Sequence, residues 1–140
     1  RMPGAPDRMA WLVWIHFAET ISQHCAALTQ QHVALREDTM RSPIVMKLEA
    51  ARIVKCYDAL EARLGGGIVQ QDYLLMSGFT AADVNVGQAV YMARYFAKLD
   101  NHPNVAAWYD RITDREAFRK SLPKDVPLFD QAFFEPWPVE

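Results

Sequence analysis

Residues 79–84, with the sequence FTAADV, carry the start signal of an α-helix. Thr80 is a hydroxyl residue of the kind that favours an N-cap, and Asp83 follows three places later, where its carboxylate can reach back to the N–H of the cap. Phe79 and Val84 occupy the two positions of a hydrophobic staple around this capping box. The spacing predicts a helix that begins just after Thr80, and it identifies Asp83 as a structural cap rather than a catalytic acid.

Two long helices are predicted before this stretch. Between residues 8 and 37 apolar side chains recur every three or four positions, which is the period of an α-helix, and Asp7 stands where an N-cap is expected. Ser42-Pro43 is typical of an N-cap followed by the first helical position. A second helix is therefore expected from this dipeptide to the three glycines at 65–67.

Shorter helices are predicted after the capping box. Pro103 is expected to open a fourth helix, and Thr113 with Glu116 forms a second capping pattern before a fifth helix. Four prolines after residue 122 exclude a further long helix. No convincing strand pattern is present, so the predicted fold class is an all-α bundle of five or more helices. Four aromatic residues of the tail are expected either to pack against the bundle or to form a lid over a cleft, with packing favoured: Phe129, Phe133, Phe134 and Trp137.

Composition excludes several functional classes. The 140 residues are 51% hydrophobic and 23% charged, which is a globular balance, and the net charge of −2 offers no basic surface for nucleic acid. No apolar run approaches the roughly 20 residues of a membrane span. Cys25 and Cys56 lie far apart without a ligand-like spacing, which favours a reducing, cytoplasmic location.

A metal site on the first helix is not expected. His16, His24 and His32 follow one another at steps of eight residues. Each step of eight rotates a side chain by about 80° around the helix axis, so the three rings fan out. Tetrahedral metal coordination requires ligands that converge on one point.

Two stretches resemble a known family. Residues 14–19 (WIHFAE) in the long first helix look like the first helix of the C-terminal domain of bacterial glutathione transferases. Residues 79–84, followed by 102–112 (HPNVAAWYDRI), resemble the capping-box helix of that domain and the helix after it. Order and spacing agree over nearly the whole chain. One departure is Arg-Glu-Ala-Phe at 115–118, where the family often has Arg-Pro-Ala-Phe.

The resemblance implies a division of the chain and a missing partner domain. Residues 8–140 are expected to form the C-terminal helical domain, and residues 1–7 are expected to be the remnant of an interdomain linker. In the family an N-terminal thioredoxin-like domain precedes this one and holds both glutathione and the residue that activates its thiol. None of that domain is in this sequence, so no catalytic residue is assigned and this chain alone is expected to be inactive.

The same resemblance implies the function of the parent protein. It would be a homodimeric enzyme that joins glutathione, as co-substrate, to a small electrophile, and this domain would form the hydrophobic substrate side of its cleft and its dimer interface. His16, Thr20 and Gln23 share one face of the first helix, with His24 beside them, and these four residues are expected to line the substrate side of the cleft. The alternative for this face is an ordinary solvated helix surface. The alternative for the whole chain is a non-catalytic protein-docking module, a use to which such helical domains are also put.

Overall fold

The computed structural model describes residues 1–66, 71–124, 129 and 132–134. Over these residues the chain forms five α-helices and no strand, which confirms the all-α prediction. A π-helix, Gln30–Ala34, follows the first α-helix, and a short 3-10 turn, Asp38–Met40, precedes the second. The five α-helices are α1 (Arg8–Thr29), α2 (Pro43–Gly65), α3 (Ala81–Ala93), α4 (Pro103–Thr113) and α5 (Glu116–Ser121).

α1 begins at Arg8 with Asp7 at the N-cap position, as predicted, but the capping bond and the far end of the helix differ from the prediction. The side chain of Asp7 makes no capping hydrogen bond; its carboxylate instead accepts from Ser77 at 2.5 Å and pairs with Arg1 at 2.9 Å. At the other end, regular α-geometry stops at Thr29 and not near residue 37. The wider turn of the π-helix follows, and it carries His32 into the protein.

The core lies where α1, α2 and α3 meet. Their inward side chains are almost completely buried, and each large aliphatic one stabilises the fold by about 1.5–3 kcal/mol. Gly87 on α3 lets α4 approach closely, since a Cβ there would lie 2.5 Å from Cδ1 of Ile112. The main buried residues of the first three helices are Ile21, Leu28, Met46, Ile53, Tyr57, Leu60, Val86 and Val90.

The capping box at the start of α3 is present and extends further than its sequence motif. Thr80 Oγ1 accepts from the N–H of Ala82 at 3.2 Å, and Asp83 Oδ2 accepts from the N–H of Thr80 at 2.8 Å. Asp83 is fully buried, and its Oδ1 also accepts from the Leu74 N–H and the Trp108 indole N–H, each at 3.0 Å. The carboxylate therefore connects three segments of the chain.

The two residues at the staple positions are more exposed than the buried carboxylate of the cap. Phe79 is half-buried and Val84 is more than half exposed. Both line a cleft of about 260 Å³ beside α5, and the Arg115 guanidinium lies 3.8 Å above the Phe79 ring. Phe79 also packs against the core, whereas Val84 is the more exposed of the two staple residues.

The N-terminus of α4 is capped by a residue of another helix. Glu61, on α2, accepts from the backbone N–H groups of Asn104 and Val105 at 3.1 and 2.9 Å. The N-cap residue itself, His102, makes no capping bond, and its Nε2 lies 2.9 Å from the carboxylate of Asp58 on α2. Two carboxylates of α2 therefore hold the start of α4.

The capping pattern predicted for α5 is wrong. Thr113 is the last residue of α4, where its hydroxyl donates to the Asp110 carbonyl at 3.1 Å. The N-cap of α5 is Arg115, which makes no side-chain cap, so Glu116 is simply the first residue of the helix. The sequence has the Thr-x-x-Glu spacing of a capping box. Thr113, however, belongs to the final turn of α4 and so does not cap α5.

Part of the aromatic tail packs against the end of the bundle. Phe133 lies 4.9 Å from His32 and 5.8 Å from Phe96, ring centre to ring centre, and its N–H donates to the Tyr95 carbonyl at 2.6 Å. Phe129 also contacts this cluster, whereas Phe134 is 40% exposed. Trp137 falls outside the described residues.

Candidate functional site

One face of α1 is exposed along most of the helix. Its residues, which we call the outer stripe, follow at alternating steps of four and three and so project on the same side. The opposite side of the helix carries the buried residues Ala18, Ile21, Cys25 and Leu28. The outer stripe consists of Met9, Val13, His16, Thr20 and Gln23, all exposed.

The outer stripe is apolar near the N-terminus of α1 and polar further along the helix. Met9 and Val13, near the N-terminus, are 72% and 57% exposed. His16, Thr20 and Gln23 then present an imidazole, a hydroxyl and an amide, which together can both donate and accept hydrogen bonds. An exposed apolar end continuous with a polar segment is suited to contact another surface while binding a small molecule.

His24 does not join the outer stripe. Its Nδ1 lies 2.6 Å from Oε2 of Glu49 on α2, and Glu49 also pairs with Arg52 one turn along. Both His24 and Glu49 are half-buried between the two helices. Of the four residues expected to line a cleft, the structure therefore places three on one exposed face and turns the fourth towards α2. Glu49 carried no sequence signal, because its partner lies on a different helix.

Neither cysteine has the properties of a nucleophile. Cys25 and Cys56 are both buried and free. Burial raises the pKa of Cys25 to about 12, and burial also raises the pKa of Cys56. A thiol that keeps its proton at neutral pH does not attack an electrophile, since the thiolate is the reactive form.

Two further features are absent from the described residues: a metal site and a membrane-spanning helix. No set of three or more His, Cys, Asp or Glu side chains there is arranged to hold a metal ion. No helix within the described ranges combines the length and the apolar character needed to cross a bilayer.

Comparison with known proteins identifies the family. The family model described as the glutathione S-transferase C-terminal domain matches residues 26–111, which is more than half of the chain. That match includes the last four residues of α1, all of α2, all of α3 with its capping box, and most of α4. No curated protein sequence matched the chain.

A solved structure shows the same fold. The glutathione transferase URE2P8 from Phanerochaete chrysosporium, crystallised with oxidized glutathione, superposes with a TM-score of 0.72 at 18% identity. The match covers 86% of this chain and 53% of that protein, so this chain spans about half the length of its structural relative. Together with the family match, the helical architecture leads to one conclusion: the chain belongs to the glutathione S-transferase C-terminal domain family.

Proposed function

We propose that this chain is the C-terminal domain of a glutathione transferase and that the outer stripe of α1 forms the electrophile side of its cleft. The observation that carries the proposal is the exposure of His16, Thr20 and Gln23 on one face of the helix. Such a run of hydrogen-bonding groups next to exposed apolar side chains is the composition of a small-molecule site, in which a few polar groups orient a largely apolar ligand.

The proposed reaction is attack by the glutathione thiolate on an electrophilic carbon. A sulfur–carbon bond forms, and the leaving group departs with the electron pair of the bond that breaks. Glutathione and the group that activates its thiol belong to a preceding thioredoxin-like domain, to which residues 1–7 would connect. The helices contribute orientation: Thr20 and Gln23 donate to polar substituents of the electrophile, and Val13 contacts its apolar part.

A homodimer is part of the same proposal, and α2 provides a surface for it. Ile44 and Leu48 are one turn apart on α2 and are 73% and 52% exposed, and Met40 and Val45 are exposed beside them. Clustered exposed apolar side chains are typical of a protein–protein contact. Replacing Leu48 with Lys should convert a dimer of the whole protein to a monomer, measured by light scattering after size exclusion.

Steady-state kinetics of the protein expressed from its complete reading frame test the proposed function. With glutathione and chlorodinitrobenzene, Gln23→Ala and Thr20→Ala should raise KM for the electrophile several-fold and leave KM for glutathione unchanged. Arg119→Ala, at an exposed position of α5, is the matched control and should change neither constant. If the whole protein neither turns over these substrates nor gains thermal stability with millimolar glutathione, the proposed function is wrong and a docking role replaces it.

A further inference from the structure

A second cleft lies at the opposite end of α3 from the capping box. It encloses about 220 Å³ between the last turns of α3 and the tail residues 132–134. Its walls come from two separate parts of the chain, so it exists only when the tail is packed down. The lining residues are Tyr91, Arg94, Tyr95, Ala132 and Phe134.

Arg94 provides a positive charge at this cleft. Its side chain is exposed, and the guanidinium carbon lies 4.8 Å from the centre of the Tyr109 ring. Among the described residues, no carboxylate forms an ion pair with Arg94. A guanidinium carries five N–H donors in a planar fork, and that geometry suits bidentate binding of a carboxylate.

The other side of Phe134 is also positively charged. Lys98 Nζ lies 5.0 Å from the centre of the Phe134 ring. An adjoining opening of about 420 Å³ is lined by Arg94, Lys98 and Phe134, with Asp100 as the acidic residue of that wall. Among the described residues that line this opening, two cations stand against one acid.

Aromatic side chains form the rest of the cleft. The Tyr91 and Tyr95 rings meet edge to face, with centres 6.2 Å apart. Burial, followed by a hydrogen bond with the Tyr95 side chain, raises the pKa of Tyr91. Tyr95 and Phe134 offer apolar surface to a planar ring.

We propose that this cleft binds a small aromatic carboxylate, with the carboxylate on Arg94 and the ring between Tyr95 and Phe134. The volume of the cleft limits the size of the ligand that it can hold. Pockets for drug-sized molecules enclose roughly 300–1,000 Å³, and about 220 Å³ admits one ring with its carboxylate. An inorganic anion would leave the aromatic walls unused.

Fluorine NMR of para-fluorobenzoate titrated with the purified chain tests the proposal. The fluorine signal should shift and broaden to saturation. Arg94→Gln should weaken binding at least about tenfold, the loss expected when a charge-assisted hydrogen bond is removed. Arg119→Gln, whose guanidinium pairs with Asp114, is the matched control and should bind like the unchanged chain.

A neutral analogue separates anion recognition from simple apolar adsorption. Para-fluorobenzamide has the same ring and shape without the charge, and it should show little binding. Equal binding of the amide and the carboxylate, retention of affinity in Arg94→Gln, or no saturable binding at all would overturn the proposal. If Arg94→Gln does not fold, Phe134→Ala removes the ring wall at an exposed position, and unchanged affinity in that variant also overturns it.

Discussion

The indole N–H of Trp108 donates to Oδ1 of Asp83 at 3.0 Å, and this bond connects α4 to the first turn of α3. Both residues are buried. The same carboxylate accepts from the N–H groups of Leu74 and Thr80. A motif that begins as a local helix cap thus becomes the point at which the loop before α3, α3 itself and α4 are held together.

Removing the Asp83 carboxylate should therefore destabilise the domain strongly. Asp83→Ala leaves the buried donors of Leu74 and Trp108 without acceptors, and each unpaired donor costs about 1–3 kcal/mol. We expect the free energy of unfolding, measured by urea denaturation, to fall by about 3 kcal/mol or more. Asp83→Asn retains one acceptor oxygen and should lose less.

Asp114→Ala is the control for this measurement, because its carboxylate is largely exposed and makes one long contact, 3.4 Å to Arg119. It should leave the urea midpoint almost unchanged. A loss for Asp83→Ala no greater than that of the control would contradict the role assigned to this carboxylate.

Glu61 should behave as a helix cap although it lies on a different helix. Glu61→Ala removes the acceptor of the first N–H groups of α4, and loss of a cap costs about 0.5–2 kcal/mol. The melting temperature should fall by several degrees in scanning calorimetry. Glu116→Ala, at an exposed glutamate that pairs with Lys120, should cause a much smaller change, and equal effects would rule out the cap.

His32 should make the domain sensitive to acid. Burial, with a smaller contribution from the Arg41 charge, lowers the pKa of His32 below its ordinary 6.5. As pH falls through 6.5, the unfolded chain takes up a proton that the folded chain does not, so stability is full above that pH and declines below it.

Urea unfolding at neutral and mildly acidic pH measures this dependence. His32→Gln should reduce the acid-induced loss of stability, whereas His16→Gln, at an exposed histidine of α1, should leave it unchanged. Identical pH profiles for His32→Gln and the unchanged chain would show that His32 does not couple protonation to folding.

The two thiols should be protected from reagents in the folded state. Burial raises the pKa of Cys25 to about 12 and shields both sulfurs, so an aromatic disulfide reagent should label neither cysteine in the native chain and both in urea. Because the unfolded thiol ionises near 9.0 and the folded thiol near 12, stability should also decline as pH rises across that interval. Rapid labelling of either cysteine in the native chain would contradict this prediction and would mean that the packing between α1 and α2 opens readily.

Local signals accounted for three of the helix starts that the sequence predicted. Ser42 accepts from the Val45 N–H at 3.3 Å, and the box at Thr80 and the proline at 103 also mark real helix starts. Each of these signals acts within a few residues and needs no tertiary partner. Asp7 shows the limit of the approach, because a partner 70 residues away, Ser77, binds the carboxylate that local pattern assigned to the helix.

The candidate sites also divide into one that local sequence predicts and others that depend on tertiary contacts. The outer stripe follows from helical period alone, so His16, Thr20 and Gln23 were found together. The attachment of His24 to Glu49, and the cleft at Arg94, depend on which helices and which tail residues become neighbours. Single-sequence periodicity contains no information about such pairings.

A crystal structure of the whole protein with bound dinitrophenyl-glutathione tests the central claim most directly. The account predicts that the dinitrophenyl ring lies against the outer stripe of α1, with atoms of Thr20 and Gln23 within about 4.5 Å of it. A conjugate bound with its ring in contact with no residue of that stripe would contradict the assignment of α1 as the electrophile side of the cleft.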